Sequence, residues 1–217
     1  MSPSADLRAR VLETAARQPS PTRAQLRMRN AALLVTGIIV PLLVFFAWGG
    51  LRQAPRPDLL VWETAGGGAA VAATLCIIAL RRGRSMLGRT GSVLLAIAVL
   101  TPVVSFTWKI TTSSQFDGMT VEWPTRIGFK CLRLACLTAA WPLVAAVLVR
   151  RGTDPTHPRL TGAAIGAAIG SCSWVLVDLW CPVAYVPHLL VGHVLPLAAT
   201  TALGAWLGGR LIALRGR

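Results

Sequence analysis

The chain has 217 residues, of which 54% are hydrophobic and only 14% are charged. A composition this apolar is typical of a polytopic membrane protein and excludes a soluble domain of any size. The formal net charge of +14 would suggest a nucleic-acid partner in a soluble protein, but here the arginines lie in short clusters between apolar runs. Such clusters report membrane topology, so we predict no direct contact with nucleic acid.

Residues 1–30 are polar and rich in arginine. This stretch is too long for the n-region of a signal peptide, so we predict a cytoplasmic segment ahead of an uncleaved membrane helix. Ser4 can cap a short helix over residues 5–17, and prolines then interrupt it within residues 18–22. A helix this short is not stable alone in water, so we expect it to bind a protein partner. The residues predicted to make that contact are Leu7, Arg8, Val11, Leu12 and Ala15.

A helix that spans a bilayer needs about 20 mostly apolar residues, and six windows of the chain meet this requirement. We therefore predict an all-α membrane protein with a cytoplasmic segment at 1–30 and a six-helix transmembrane bundle at 31–217. The predicted spans are residues 31–50, 59–80, 90–108, 128–149, 160–180 and 189–209.

The basic residues are concentrated at both ends of the chain and in alternate loops between the predicted spans. By the positive-inside rule this distribution places both termini in the cytoplasm, and an even number of helices agrees. The outer loops are then residues 51–58, 109–127 and 181–188. Lys109 falls at the start of the second of these loops on this map.

The fifth predicted helix carries Gly162, Gly166 and Gly170 at four-residue spacing. This spacing exposes a smooth backbone ridge on one helix face and lets a neighbouring helix approach closely. The pattern predicts helix packing, either within the chain or in a homodimer.

Two acidic residues, Glu63 and Asp178, fall near the outer ends of their predicted helices. Charged groups inside an apolar span are costly, so we expect both to face the bundle interior or a watery vestibule. Arg133 or a histidine is the predicted partner. A charge network of this kind can also exist without any function.

Of the five cysteines, only Cys131 and Cys181 fall at the outer surface on this map. An oxidising compartment would allow them to act as a disulfide or as an exposed, redox-sensing dithiol. Cys76, Cys136 and Cys172 fall deeper or nearer the inside, where a thiol is usually a small apolar side chain. The same structural role remains an alternative for Cys131 and Cys181.

His188 and His193 could join Cys181 and Asp178 as ligands of a soft metal or zinc, because imidazole, thiolate and carboxylate are the usual donors. Five residues of an α-helix rotate by about 140°, so the two imidazoles share a face only if Pro187 or the helix start distorts the geometry. We otherwise predict no cofactor.

The sequence shows no Ser-His-Asp arrangement, phosphate-binding loop or paired carboxylates, so we predict that the protein is not an enzyme. The competing class is a small multi-pass transporter or metal-binding membrane protein with its site at the outer cluster. The chain shows no internal repeat of the kind that transport folds display.

Several features occur together in a fixed order. A proline-containing linker follows the N-terminal segment, Gly128 and Cys131 open the fourth helix, an arginine- and proline-containing loop covers 150–158, and Cys181 and Pro182 precede the two histidines. In this order they resemble the NrsF family of bacterial membrane anti-sigma factors, which are negative regulators of extracytoplasmic-function sigma factors of the sigma-F kind.

This resemblance implies a protein of the bacterial inner membrane whose cytoplasmic N-terminal segment binds and sequesters a sigma factor. It also implies that outward-facing cysteines, matching Cys131 and Cys181, are associated with the response to metal or oxidative stress. The resemblance assigns no role to His188 or His193. We expect repression when the outer cluster is at rest and release of the sigma factor when the cluster senses stress.

Overall fold

The computed structural model describes residues 6, 9, 10, 13, 22–51, 57–80, 90–118, 128–151, 156–181 and 183–213. These residues contain six helices that are long and apolar enough to cross a membrane, which confirms the predicted all-α fold. The sidedness of the termini stays a prediction. The helices are α1 Arg23–Ala47, α2 Asp58–Leu80, α3 Gly91–Ser113, α4 Phe129–Val149, α5 Pro158–Trp180 and α6 Val186–Ile212.

Helix α1 begins at Arg23 rather than at the predicted residue 31. The reason is a capping box at its N-terminus, where Gln25 N donates to Thr22 Oγ1 over 3.2 Å and Thr22 N donates to Gln25 Oε1 over 2.9 Å. The two side chains satisfy backbone donors that would otherwise be unpaired at a helix start. The basic residues predicted to form a juxtamembrane linker therefore lie on the first turns of α1.

Helix α3 continues to Ser113, beyond the predicted end at residue 108. Lys109 is therefore part of the helix and is almost fully buried, with 2% of its surface exposed. Its predicted position in an outer loop is wrong. A single charge did not end the helix, because that charge is paired inside the bundle.

The chain divides into two compact units, residues 1–32 and residues 33–217. In the first unit, Asp6, Ala9, Arg10 and Glu13 are helical. Arg10 Nε lies 3.3 Å from Asp6 Oδ2, one helical turn away. The predicted cap and partner-binding residues fall outside the described part of the chain: Ser4, Leu7, Arg8, Val11, Leu12 and Ala15.

Helix α5 is the centre of the second unit. In its most apolar window 78% of the residues are buried, whereas the corresponding value for α1 is 6%. Helix α5 contacts α2, α3, α4 and α6. A displacement of α5 would therefore change its packing against four neighbouring helices.

The glycine ridge of α5 packs against α6. A Cβ atom on Gly162 would lie 2.1 Å from the carbonyl oxygen of Gly204, and one on Gly166 would lie 2.2 Å from that of Thr200. Both distances are far below van der Waals contact, so only glycine permits this approach of the two backbones. The ridge is occupied within the chain and is not available for packing against a second copy.

Candidate metal centre

Four potential metal ligands converge where three helices meet. Cys131 lies in the first turn of α4, Cys181 directly follows α5, and His188 and His193 lie in the first turns of α6. All four side chains are buried, and their ligand atoms lie within 4.8 Å of one another. The structure thus brings together both cysteines and both histidines that the sequence singled out.

A π-turn in α6 brings the two histidines to the same side of the helix. Residues Leu190–Val194 form this turn, in which Leu195 N–H donates to Leu190 O, five residues back. Because the turn closes over five residues instead of four, positions 188 and 193 return to nearly the same face. The two ring centroids are 5.8 Å apart. The helix distortion that the two imidazoles need in order to share one face is therefore present.

Two glycines allow α4 to approach this turn. Gly128 has a positive φ of 98°, and a Cβ atom there would lie 2.8 Å from His188 O. A Cβ atom on Gly192 would lie 2.9 Å from Cys131 Cβ. The two glycines therefore set the distance at which the Cys131 thiol meets the histidines. The close contact of Gly192 with Cys131 was not predictable from the sequence, because it joins two helices that are distant in the chain.

His188 hydrogen bonds with both thiols. Its Nε2 atom lies 3.4 Å from Cys131 Sγ and 3.3 Å from Cys181 Sγ. The hydrogen bond with Cys131 lowers the pKa of the Cys181 thiol; burial opposes this shift, and the neighbouring His188 and His193 add smaller lowerings. A lowered thiol pKa favours the thiolate, which is the form that binds metals.

His193 is buried, with 2% of its surface exposed. Neither of its ring nitrogens makes a hydrogen bond of ordinary geometry to the described residues. Its ring meets the edge of Trp174 at 5.0 Å between centroids. Leaving a buried polar group without a hydrogen bond costs about 1–3 kcal/mol, so a ligand that engages His193 would remove this cost.

The donor set fits a metal ion of the zinc class. Two thiolates and two imidazoles are a usual tetrahedral zinc set, and ligand atoms bound to one such ion lie about 3.3–3.8 Å apart. The two sulfur–nitrogen distances at His188 already fall in this range, and all four ligand atoms lie within 4.8 Å. Only small side-chain movements would be needed to bind an ion.

Asp178, the other predicted ligand, does not belong to this set. Its carboxylate forms a buried ion pair with Lys109, and its Oδ2 atom lies 2.8 Å from Thr64 Oγ1. The cation paired with Asp178 is therefore Lys109 and not the predicted Arg133, which is exposed. The pairing follows from the length of α3, which carries Lys109 into the interior beside α5.

Glu63, the second predicted interior acid, is half-buried in the π-turn of α2. Its backbone carbonyl accepts a hydrogen bond of 3.1 Å from the indole of Trp108. This contact joins α2 to α3 near the Lys109 pair.

The expectation of an exposed dithiol is wrong. Only 1% of Cys131 and 3% of Cys181 are exposed, and both are free thiols. The prediction used only the position of each residue along its helix, whereas burial depends on how the neighbouring helices pack against it. A reagent must therefore enter the cluster between α4, α5 and α6.

The fold and this site define a class: a multi-pass helical membrane protein with a buried cluster of two cysteines and two histidines next to a buried ion pair. The sequence profile of the NrsF family, described as negative regulator of sigma F, matches residues 14–213. The chain therefore belongs to the NrsF family, as the sequence features suggested. Membership implies negative regulation of a sigma factor and a sigma factor as partner. No curated protein and no solved structure matches the chain.

Proposed function

We propose that this protein is a membrane anti-sigma factor that sequesters an extracytoplasmic-function sigma factor and releases it when a metal ion binds Cys131, Cys181, His188 and His193. The observation that supports this proposal most strongly is the convergence of four buried ligand atoms within 4.8 Å. A zinc-class ion is the ligand that the donor set favours. Oxidation of the two thiols would occupy the same sulfur atoms and is the second signal that the site would accept.

The sigma factor binds residues 1–30 in this proposal. Residues 7, 8, 11, 12 and 15 provide the contact on a helix that is stable only with its partner. A segment that folds on binding loses part of its interaction energy to ordering, so a modest change in its presentation alters its affinity. The sequestered sigma factor cannot reach RNA polymerase.

Helix α5 connects the cluster to the rest of the bundle. Cys181 directly follows this helix, and Asp178 and Trp174 lie within its last two turns. Cys181 and the two histidines would hold the ion together, and a shift of Cys181 towards them would move the end of α5 relative to α6. Because α5 contacts four helices, this movement changes the packing at the opposite end of the bundle. Binding of the metal at the cluster and binding of the sigma factor are then coupled through α5.

The membrane orientation in this proposal is inferred from the distribution of basic residues. Lys and Arg predominate in the segments assigned to the cytoplasm, including both termini. The start of α4, the end of α5 and the start of α6 then lie together at the periplasmic side of the inner membrane. Metal ions from outside the cell would therefore reach the cluster without crossing the bilayer.

Deletion of residues 1–25 tests the sigma-binding half of the proposal. The full-length protein should co-purify with its sigma factor from membranes, and the deletion should abolish both co-purification and repression. A small transporter would keep its activity after the same deletion, so retained activity would support the competing class.

Cysteine variants test the sensing half. Cys131→Ser and Cys181→Ser should each preserve basal repression but lose the response to added metal. Cys136→Ser is the matched control, because this thiol is exposed on α4 and is not one of the four converging ligands. Unchanged induction in both cluster variants would remove the thiols from the mechanism.

A further inference from the structure

A second pair of thiols lies inside the bundle. Cys76 on α2 and Cys172 on α5 are both half-buried, and their Sγ atoms are 3.6 Å apart. A disulfide bond is about 2.05 Å long, so the two sulfurs need to approach by only about 1.5 Å. From the sequence these residues were expected to be small apolar side chains, and their pairing was not predictable because it joins two separate helices.

A cavity of about 360 Å³ opens beside the pair, and both cysteines form part of its wall. The remaining wall comes from α1, α2, α4 and α5 and is mostly apolar, with residues such as Pro41, Leu80 and Ile169. Cavities of this volume accept small organic molecules. Within a bilayer, an apolar lining selects molecules that dissolve in the hydrocarbon.

We propose that Cys76 and Cys172 form a redox site that reduces an apolar organic hydroperoxide and closes a disulfide between α2 and α5. The cavity admits the hydrocarbon part of the hydroperoxide and places its O–O bond against the two sulfurs. This site goes beyond the proposed metal-controlled release of a sigma factor and does not depend on it.

The two thiols and the hydroperoxide are the only reactants that this reaction needs. One thiol sulfur attacks the terminal peroxide oxygen, the O–O bond breaks, and the thiol proton goes to the departing alkoxide, which leaves as an alcohol. The resulting sulfenic acid is attacked by the second sulfur, an S–S bond forms, and hydroxide leaves as water with the proton of the second thiol. Two thiols are oxidised to one disulfide, and the hydroperoxide is reduced to an alcohol and water.

The two thiol sites are separate. Cys172 and Cys181 are nine positions apart, which corresponds to about 13 Å along a helix axis. Cys172 lies within the span of α5, whereas Cys181 follows its end. The interior pair is therefore exposed to oxidants dissolved in the membrane, whereas the outer cluster meets ions from the aqueous phase.

Thiol mapping in membranes tests the proposal. Membranes containing the full-length protein are treated with cumene hydroperoxide or with hydrogen peroxide, free thiols are blocked, and peptides are identified by mass spectrometry. A peptide that links Cys76 to Cys172 should form, and it should require less cumene hydroperoxide than hydrogen peroxide. The linked peptide should be lost in Cys76→Ser, Cys76→Ala and Cys172→Ser.

The controls separate this site from the outer cluster. Cys136→Ser and the double variant Cys131→Ser with Cys181→Ser should form the linked peptide as the wild type does. Absence of the linked peptide in wild-type membranes in which Cys136 has been oxidised would overturn the proposal. Equal sensitivity to the two peroxides would overturn the role of the apolar cavity. Since the readout is made on this chain alone, it is independent of whether a sigma factor is bound.

Discussion

His188 and His193 are five positions apart, yet their ring centroids lie only 5.8 Å from each other. The π-turn over Leu190–Val194 makes this pairing, because it adds one residue to a helical turn. π-turns occur frequently at functional sites. In this protein the π-turn places both imidazoles beside the two thiols, so a local irregularity of α6 creates the metal-binding geometry.

Replacing His193 should abolish metal binding without lowering the stability of the metal-free protein. His193→Leu removes two buried ring nitrogens that make no ordinary hydrogen bond to the described residues. The free energy of unfolding without metal should therefore stay unchanged or rise by about 1 kcal/mol. The increase in stability on adding Zn²⁺ should be lost, as measured by thermal unfolding in detergent.

His188→Leu is the comparison for this prediction. His188 hydrogen bonds with both thiols, so its loss should lower the free energy of unfolding by about 1–3 kcal/mol even without metal. If His193→Leu were as destabilising as His188→Leu in metal-free protein, His193 would be a structural residue.

The buried ion pair should show strong coupling between its partners. Lys109→Met removes the cation that offsets the buried Asp178 carboxylate and should lower the free energy of unfolding by about 3–5 kcal/mol. Combining it with Asp178→Leu removes both charges, and the double variant should recover most of the lost stability. Denaturant titration of the single and double variants measures this coupling. A double variant less stable than Lys109→Met alone would contradict it.

The glycine ridge should tolerate no side chain at its centre. Gly166→Ala places a Cβ atom 2.2 Å from Thr200 O, so α5 and α6 must separate. We expect a loss of about 1–3 kcal/mol in the free energy of unfolding, measured by thermal unfolding in detergent.

Gly37→Ala on α1 is the matched control for the ridge. Its Cβ atom would meet Ala145 Cβ at 3.6 Å, an ordinary contact. Alanine is also the better helix former by about 1 kcal/mol, so this variant should be as stable as the wild type or more stable. Equal losses in both variants would contradict the tight packing of α5 on α6.

The six spans could be predicted from sequence because each is a long apolar window, and hydrophobic length decides whether a helix crosses a bilayer. The ends were less predictable. A Thr22 and Gln25 capping box extends α1 into a basic stretch, and the pairing of Lys109 with Asp178 extends α3 past a charge. Both effects depend on specific side-chain contacts that hydropathy does not contain.

The candidate site was predictable in its residue types but not in its geometry. Cys131, Cys181, His188 and His193 stand out because polar and soft ligands are rare in apolar helices. Their convergence depends on the π-turn and on the close contact made by Gly192, and their burial depends on packing between α4, α5 and α6. None of these features has a periodic signature in the sequence.

Release of the sigma factor by metal tests the central claim most directly. Membranes carrying the full-length protein and its co-purifying sigma factor are titrated with Zn²⁺, and the sigma factor in the soluble fraction is measured. The same titration is made with the Cys131→Ser, Cys181→Ser double variant and with Cys136→Ser. We predict that Zn²⁺ releases the sigma factor from the wild type and from Cys136→Ser but not from the double variant. Retention by the wild type when Zn²⁺ is bound, or equal release from the double variant, would contradict control by the Cys/His cluster.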